Sequence, residues 1–136
     1  MTSAAVIGGV AWNLLVEVPP SADRPDDVAR HRAPEGIGGT GAGKALHLAR
    51  LGIRTRLHAL VGEDEPGGHV RESLSDAGVE LTAWPDPAGT ERHLNLLDPH
   101  GDRVSIFLDH ATPDPGVPPG RSSHRSAGES SSSSSA

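Results

Sequence analysis

Gly36-Ile37-Gly38-Gly39-Thr40-Gly41-Ala42-Gly43-Lys44-Ala45-Leu46-His47-Leu48-Ala49-Arg50-Leu51-Gly52 is the stretch on which the reading of this chain turns. A glycine cluster runs directly into a helical pattern. Ala42, Ala45, Leu46 and Ala49 recur at the spacing of one helix face, and Leu48 and Leu51 widen that stripe. Gly52 stands where a helix takes its left-handed cap. Glycines ahead of the helix let backbone approach a ligand closely, and first-turn N–H groups favour electron-rich partners. Two readings are open at this point: a binding platform, or a turn of the kind α/β folds use without binding anything.

The chain has 136 residues, enough for one domain with a modest core. Its net charge of -6 argues against general nucleic-acid affinity, which needs a basic surface. The absence of cysteine excludes disulfides, thiol catalysis and thiolate metal sites. The histidines are scattered, with no H-x-x-x-H spacing, so no metal site is expected. No apolar run reaches the length of a membrane span, and Met1-Thr2-Ser3-Ala4-Ala5 does not open like a signal peptide. The expectation is a cytoplasmic protein with no nucleic-acid or membrane partner.

Outward from the central helix, the pattern alternates strand and helix. Val6-Ile7-Gly8-Gly9-Val10 suits a buried strand, and Leu14 to Val18 is extended and apolar. Ser21 to Pro34 is polar, a loop with a weak strand near Val28 to Arg32. Ile53 to Val61 alternates apolar and polar residues as a half-buried strand does. In Gly62-Glu63-Asp64-Glu65-Pro66-Gly67, Asp64 caps the next helix and Pro66 fits its first turn, while Val70, Leu74 and Ala77 face inward. Gly78 closes that helix before a strand from Val79 to Ala83. The order strand, helix, strand, helix, strand predicts an α/β layer with right-handed crossovers. Arg92 to Leu97 and Arg103 to Leu108 read as a hairpin across the turn Asp98-Pro99-His100-Gly101-Asp102.

Gly38-Gly39-Thr40-Gly41-Ala42-Gly43-Lys44 fits the P-loop pattern G-x-x-x-x-G-K. The pattern then wants a Ser or Thr for Mg²⁺, and position 45 is Ala. The preceding His31-Arg32-Ala33-Pro34-Glu35-Gly36 is also polar and broken by proline, unlike the buried strand a P-loop follows.

A second set of motifs is spread over residues 4 to 110. The same glycine cluster, then Ala49-Arg50-Leu51-Gly52, then Val61-Gly62-Glu63-Asp64-Glu65-Pro66-Gly67, resembles the N-terminal signature of the ribokinase-like (PfkB) carbohydrate kinases. Val6-Ile7-Gly8-Gly9 with Asn13 resembles the first strand of that family and its sugar-contacting end. The resemblance implies a Rossmann-like α/β sheet carrying a small β lid, built from the segment after Asn13 and from the hairpin at Asp98 to Asp102. It implies transfer of the γ-phosphoryl group of ATP, with Mg²⁺, to a sugar or nucleoside hydroxyl. Carried over by residue, Asn13 stands at an acidic sugar ligand of the family. Gly39 and Thr40 match its glycine-rich sugar loop, and Gly38 and Gly43 are carried over beside them as substrate-binding positions. Thr40 stands where Lys is common, Gly43 where Asn is common, and Lys44 where Gln is common. Such a loop plus a polar side chain at a strand end can hold several hydroxyls in one orientation, which is much of what the transfer asks of the acceptor site. Asn13 also reads as a turn-capping residue, and Lys44 as a solvated helix residue. His93 and Asn95 share one face of their strand and reach the sugar if the hairpin is a lid; otherwise they face solvent. Trp12 and Trp84 read as packing residues.

The G-A-G-D-like segment that carries the catalytic base in this family has no counterpart after Asp109. Residues 111–136 hold four prolines up to Pro119 and a serine run from Ser130 to Ser135, with almost nothing apolar, the composition of a disordered tail. The expectation is therefore an N-terminal sugar-kinase portion, residues 1–110, that looks truncated. It would be inactive alone, bind ATP poorly, and self-associate through uncovered sheet. The alternatives are a non-catalytic sugar-binding α/β module and a degenerate P-loop nucleotide binder.

Overall fold

The computed structural model describes residues 1–18 and 34–112. In chain order the elements are β1 (Ser3–Ile7), β2 (Ala11–Glu17), β3 (Glu35–Gly38), α1 (Thr40–Arg50), β4 (Arg54–Val61), α2 (Glu65–Asp76), β5 (Val79–Pro85), β6 (Arg92–Leu97) and β7 (Arg103–Asp109). The expected weak strand near Val28 to Arg32 and the expected tail beyond residue 112 lie outside the described residues.

Two sheets result. β1, β4 and β5 form a parallel sheet in the order β1-β4-β5. The alternation in β4 sends Thr55, Leu57, Ala59 and Val61 to one face, where they are buried. There they meet Ala42 and Ala45 of α1 and Val70 and Leu74 of α2. The small residues of α1 let its axis lie close to the strands. Deleting a core side chain such as Leu57 or Leu74 would cost about 2–5 kcal/mol. Leu51 does not join this stripe: it is the C-cap of α1 and is exposed. Both helices stop as their glycines predict. Gly52 (φ 78°) and Gly78 (φ 74°) turn left-handed. At the end of α1, the N–H groups of Gly52 and Ile53 close back on the carbonyls of Ala49 and Leu48.

The second sheet has four strands in the order β3-β2-β6-β7, with β2 and β6 parallel and the outer pairs antiparallel. It unites the segment after Asn13 with the late hairpin, as the expected lid does. One of its strands was not legible: Glu35–Gly38 reads as a glycine turn, yet it pairs with Ala11 to Leu14 as an edge strand. Tertiary pairing overrides the low strand propensity of glycine there. The first strand also ends earlier than its apolar run, at Ile7, because Gly8 and Gly9 carry the chain from one sheet to the other.

Candidate functional site

The two sheets meet where Gly8-Gly9 passes the start of α1. The carbonyl of Gly9 accepts from the N–H groups of Gly41 (3.0 Å) and Ala42 (3.3 Å). A side chain at Gly41 would place its Cβ 2.6 Å from the Gly8 carbonyl carbon, and one at Gly39 would come 2.6 Å from the Gly9 oxygen. Gly39 also holds φ 91°, which L side chains rarely adopt. These glycines therefore serve backbone-to-backbone packing. They do not leave an open cradle, because two first-turn N–H groups of α1 are already engaged by Gly9.

That arrangement does not fit the P-loop reading. The strand before Gly38–Lys44 is an antiparallel edge strand of the four-stranded sheet, Gly41 to Lys44 already lie inside α1, and Lys44 is exposed. The glycine cluster offers no loop around a triphosphate. Lys44 occupies the solvated helix position.

Asn13 lies on β2, opposite Gly36 of β3 and beside His93 of β6 in register. Its amide rests over Gly38, where any Cβ would overlap it. Asn13 Oδ1 is buried and has no hydrogen-bond partner among the described residues. A buried carbonyl in that state costs about 1–3 kcal/mol. Period-two geometry puts Asn13, His93 and Asn95 on one face of the sheet. The opposite face carries Trp12 and Ile37 onto the core. Trp12 packs as expected: its ring stacks on His69 of α2 with centroids 5.0 Å apart, and Nε1 donates to Glu35 Oε2 at 3.0 Å.

His93 and Asn95 do not face open solvent. Asn95 is 5% exposed and its Oδ1 accepts from Ser105 Oγ at 2.7 Å. His93 Nε2 lies 2.8 Å from Glu91 Oε1, and its ring packs on Phe107 with centroids 4.3 Å apart. Glu91 thus fixes the ring, its carboxylate accepting from Nε2. Glu91 Oε2 also lies 3.4 Å from His110 Nδ1. Sequence reasoning passed over Glu91, whose signal was its place two residues before His93 on the same side of the chain. Thr40 is exposed at the helix start. Gly43 is in open surroundings, with nothing that forbids a side chain. Asn13, Gly38 and Gly39 thus come together with His93 and Asn95 on the adjoining sheet face, whereas Gly43 and Lys44 belong to the helix.

The remaining face of the parallel sheet carries a groove of about 410 Å³ lined by Ile7, Gly8, His58, Leu60, Trp84 and Ala111. It is almost wholly apolar, unlike a site for a polyhydroxylated ligand. Nearer the strand starts, Glu80 lies between Arg54 (2.8 Å) and Arg56 (2.6 Å), whose hydrogen bonds hold its carboxyl below the ordinary range. No group of His, Asp and Glu among the described residues is arranged to hold a metal ion. No described helix is long and apolar enough to cross a membrane.

The sequence profile of the pfkB carbohydrate kinases matches residues 1–115. The chain belongs to this family. It is 34% identical over 108 residues to the acarbose 7(IV)-phosphotransferase of Actinoplanes sp., an alignment covering 78% of this chain and 36% of that protein. Among solved structures, a microbiome-derived acarbose kinase superposes with a TM-score of 0.73 at 28% identity, over 85% of this chain and 40% of the other. The ribokinase of Cryptococcus neoformans, solved with ADP, gives 0.63 at 25% identity over 78% and 33%. The chain thus spans well under half the length of these relatives. The sheets described above are those of the N-terminal portion of a ribokinase-type fold.

Proposed function

We propose that this chain holds a sugar or nucleoside acceptor between Gly38-Gly39 and the polar face of the four-stranded sheet, as the acceptor-binding portion of an ATP-dependent, Mg²⁺-dependent carbohydrate kinase. The observation that carries this is Asn13 Oδ1: a buried acceptor without a donor among the described residues, seated against a glycine whose missing side chain leaves it room. A ligand hydroxyl supplies the missing hydrogen bond. Thr40, His93 and Asn95 complete the proposed set, Asn95 offering its amide N–H groups; Gly43, inside α1, is left out of it. Acarbose is the first ligand to try, since two relatives carry it in their names.

In this reading the chain is the acceptor half of the kinase and is inactive alone. The α1 terminus engages Gly9 and Lys44 is solvated, so ATP is not held at the glycine cluster. The bare face of the parallel sheet supports the same division. All-parallel sheets are ordinarily covered on both sides, yet Ile7 is 87% and Trp84 49% exposed. Without a covering layer, this face promotes self-association.

Titration calorimetry of the purified chain with D-ribose, adenosine, acarbose and ATP tests the proposal. The expected result is heat from one of the first three, weakened at least several-fold by Asn13→Ala, and no phosphorylated product on adding ATP and Mg²⁺. Absence of binding across the panel, or binding indifferent to Asn13→Ala, would refute the acceptor site. Turnover by the pure chain would refute its inactivity.

A further inference from the structure

The turn Gly62-Glu63-Asp64-Glu65-Pro66-Gly67 is part of the sequence signature, yet none of its residues reaches the acceptor site. The Asp64 side chain and the backbone of Gly62 and Gly67 face Gly89 and Thr90, in the segment that leads from β5 into β6. Asp64 caps α2 by accepting from Gly67 N at 2.9 Å. The same carboxylate grips Thr90 twice. Oδ2 accepts from Thr90 N at 2.8 Å, and Oδ1 accepts from Thr90 Oγ1 at 2.6 Å. Thr90 Oγ1 in turn accepts from Gly62 N at 3.0 Å. Thr90 is 1% exposed.

The three glycines around this network are there for contact. A Cβ on Gly62 would come 2.5 Å from Thr90 N, and one on Gly67 would run into the Gly62 carbonyl. Gly89 combines φ 96° with a Cβ position 2.8 Å from Asp64 Oδ2. Arg71 Nη1 donates to Gly62 O at 3.0 Å and braces the turn from α2. The network thus joins the end of β4 and the start of α2, both in the core, to the strand that carries His93 and Asn95. Nearby carboxylates tie the returning strand to the same place: Asp86 Oδ2 accepts from Thr112 N at 2.7 Å, and Glu91 Oε2 from Ala111 N at 3.2 Å.

We infer that Asp64 and Thr90 anchor the β6–β7 side of the four-stranded sheet on the core, and that Asp64 is a positioning residue for the acceptor site through β6. The inference rests on reading that sheet as the acceptor-binding lid. It assigns the signature turn a mechanical role, with neither ligand nor proton transfer in it. Thr90 is the sensitive point, because one hydroxyl both donates to Asp64 and accepts from Gly62.

Backbone hydrogen exchange of the full chain, read by mass spectrometry without any ligand, tests it. Thr90→Val keeps the shape and removes the hydroxyl. It should speed exchange in β6 and β7 about tenfold or more while β1, β4 and α2 hold their protection. Thr90→Ser restores the hydroxyl and should match the parent. Three results would overturn the inference: unchanged β6 and β7 in Thr90→Val, loss of protection in both sheets together, or Thr90→Ser behaving like Thr90→Val. No sugar enters this experiment, so a failure of the acceptor reading in calorimetry leaves its outcome distinguishable.

Discussion

Gly38 and Asn13 make a two-residue test of the acceptor site. Gly38 has no unusual φ, and the nearest atoms an added Cβ would meet are the three terminal atoms of the Asn13 side chain. Gly38→Ala therefore drives the Asn13 amide out of its place. The obstacle is the end of a short side chain, not backbone, so the cost sits at the low end of overpacking, about 1 kcal/mol. In an Asn13→Ala background the obstacle is gone. There Gly38→Ala is expected to be neutral or to stabilise by up to about 1 kcal/mol, from the lower entropy of the unfolded chain. The coupling between the two substitutions is then about 1–2 kcal/mol, within the range seen for residues in contact. Urea denaturation of the parent, both single variants and the double variant measures it. Asn13→Ala by itself removes a buried acceptor that has no partner among the described residues, so its loss of packing is offset and its net cost should stay under about 1 kcal/mol. Equal effects of Gly38→Ala in both backgrounds would refute the contact. An Asn13→Ala cost well above 2 kcal/mol would show that the amide is already satisfied in the free chain, and the argument for a waiting acceptor would fall.

Gly41→Ala and Gly43→Ala should split in sign. The first forces a Cβ to within 2.6 Å of backbone that cannot rotate away and should cost about 3 kcal/mol or more. The second meets nothing, lies inside α1, and should stabilise by about 0.5–1 kcal/mol in thermal melts. Lys44→Ala, at an exposed position, should leave stability and any weak ATP affinity unchanged by calorimetry; a clear loss of ATP binding would revive the nucleotide-loop reading. Asp64 gives a pH dependence. Burial raises its pKa, but the hydrogen bonds from the Thr90 hydroxyl, Thr90 N–H and Gly67 N–H outweigh that and hold it below the ordinary 3.8. A lowered folded-state value means the unfolded chain binds the proton more readily. The stabilisation is thus complete above the ordinary value and lost as pH falls through the folded one. One flank of Asp64 is open to solvent, so salt weakens the effect. Urea midpoints between pH 6 and pH 3 should fall less steeply for Asp64→Asn than for the parent.

The amino-acid order by itself fixed much of this protein. Period-two alternation in Arg54 to Val61, the Asp64 cap with Pro66, and Gly52 and Gly78 after their helices are local rules, so the α/β core was readable from them. The spaced motifs identified the family for the same reason. What stayed hidden depends on partners distant in sequence. Glu35–Gly38 becomes a strand only because β2 offers it a ladder, and the N–H groups of Gly41 and Ala42 are used up on the Gly9 carbonyl, which no local pattern reveals. Asn13 and His93 are neighbours through a parallel register across 80 positions of chain, and Asp64 holds Thr90 across 26. Hydrogen bonds and steric contact act over a few ångströms, whatever the separation along the chain. Residue types therefore set which elements form, and only their packing decided which polar groups were spent on the fold and which, like Asn13 Oδ1, stand without a partner among the described residues.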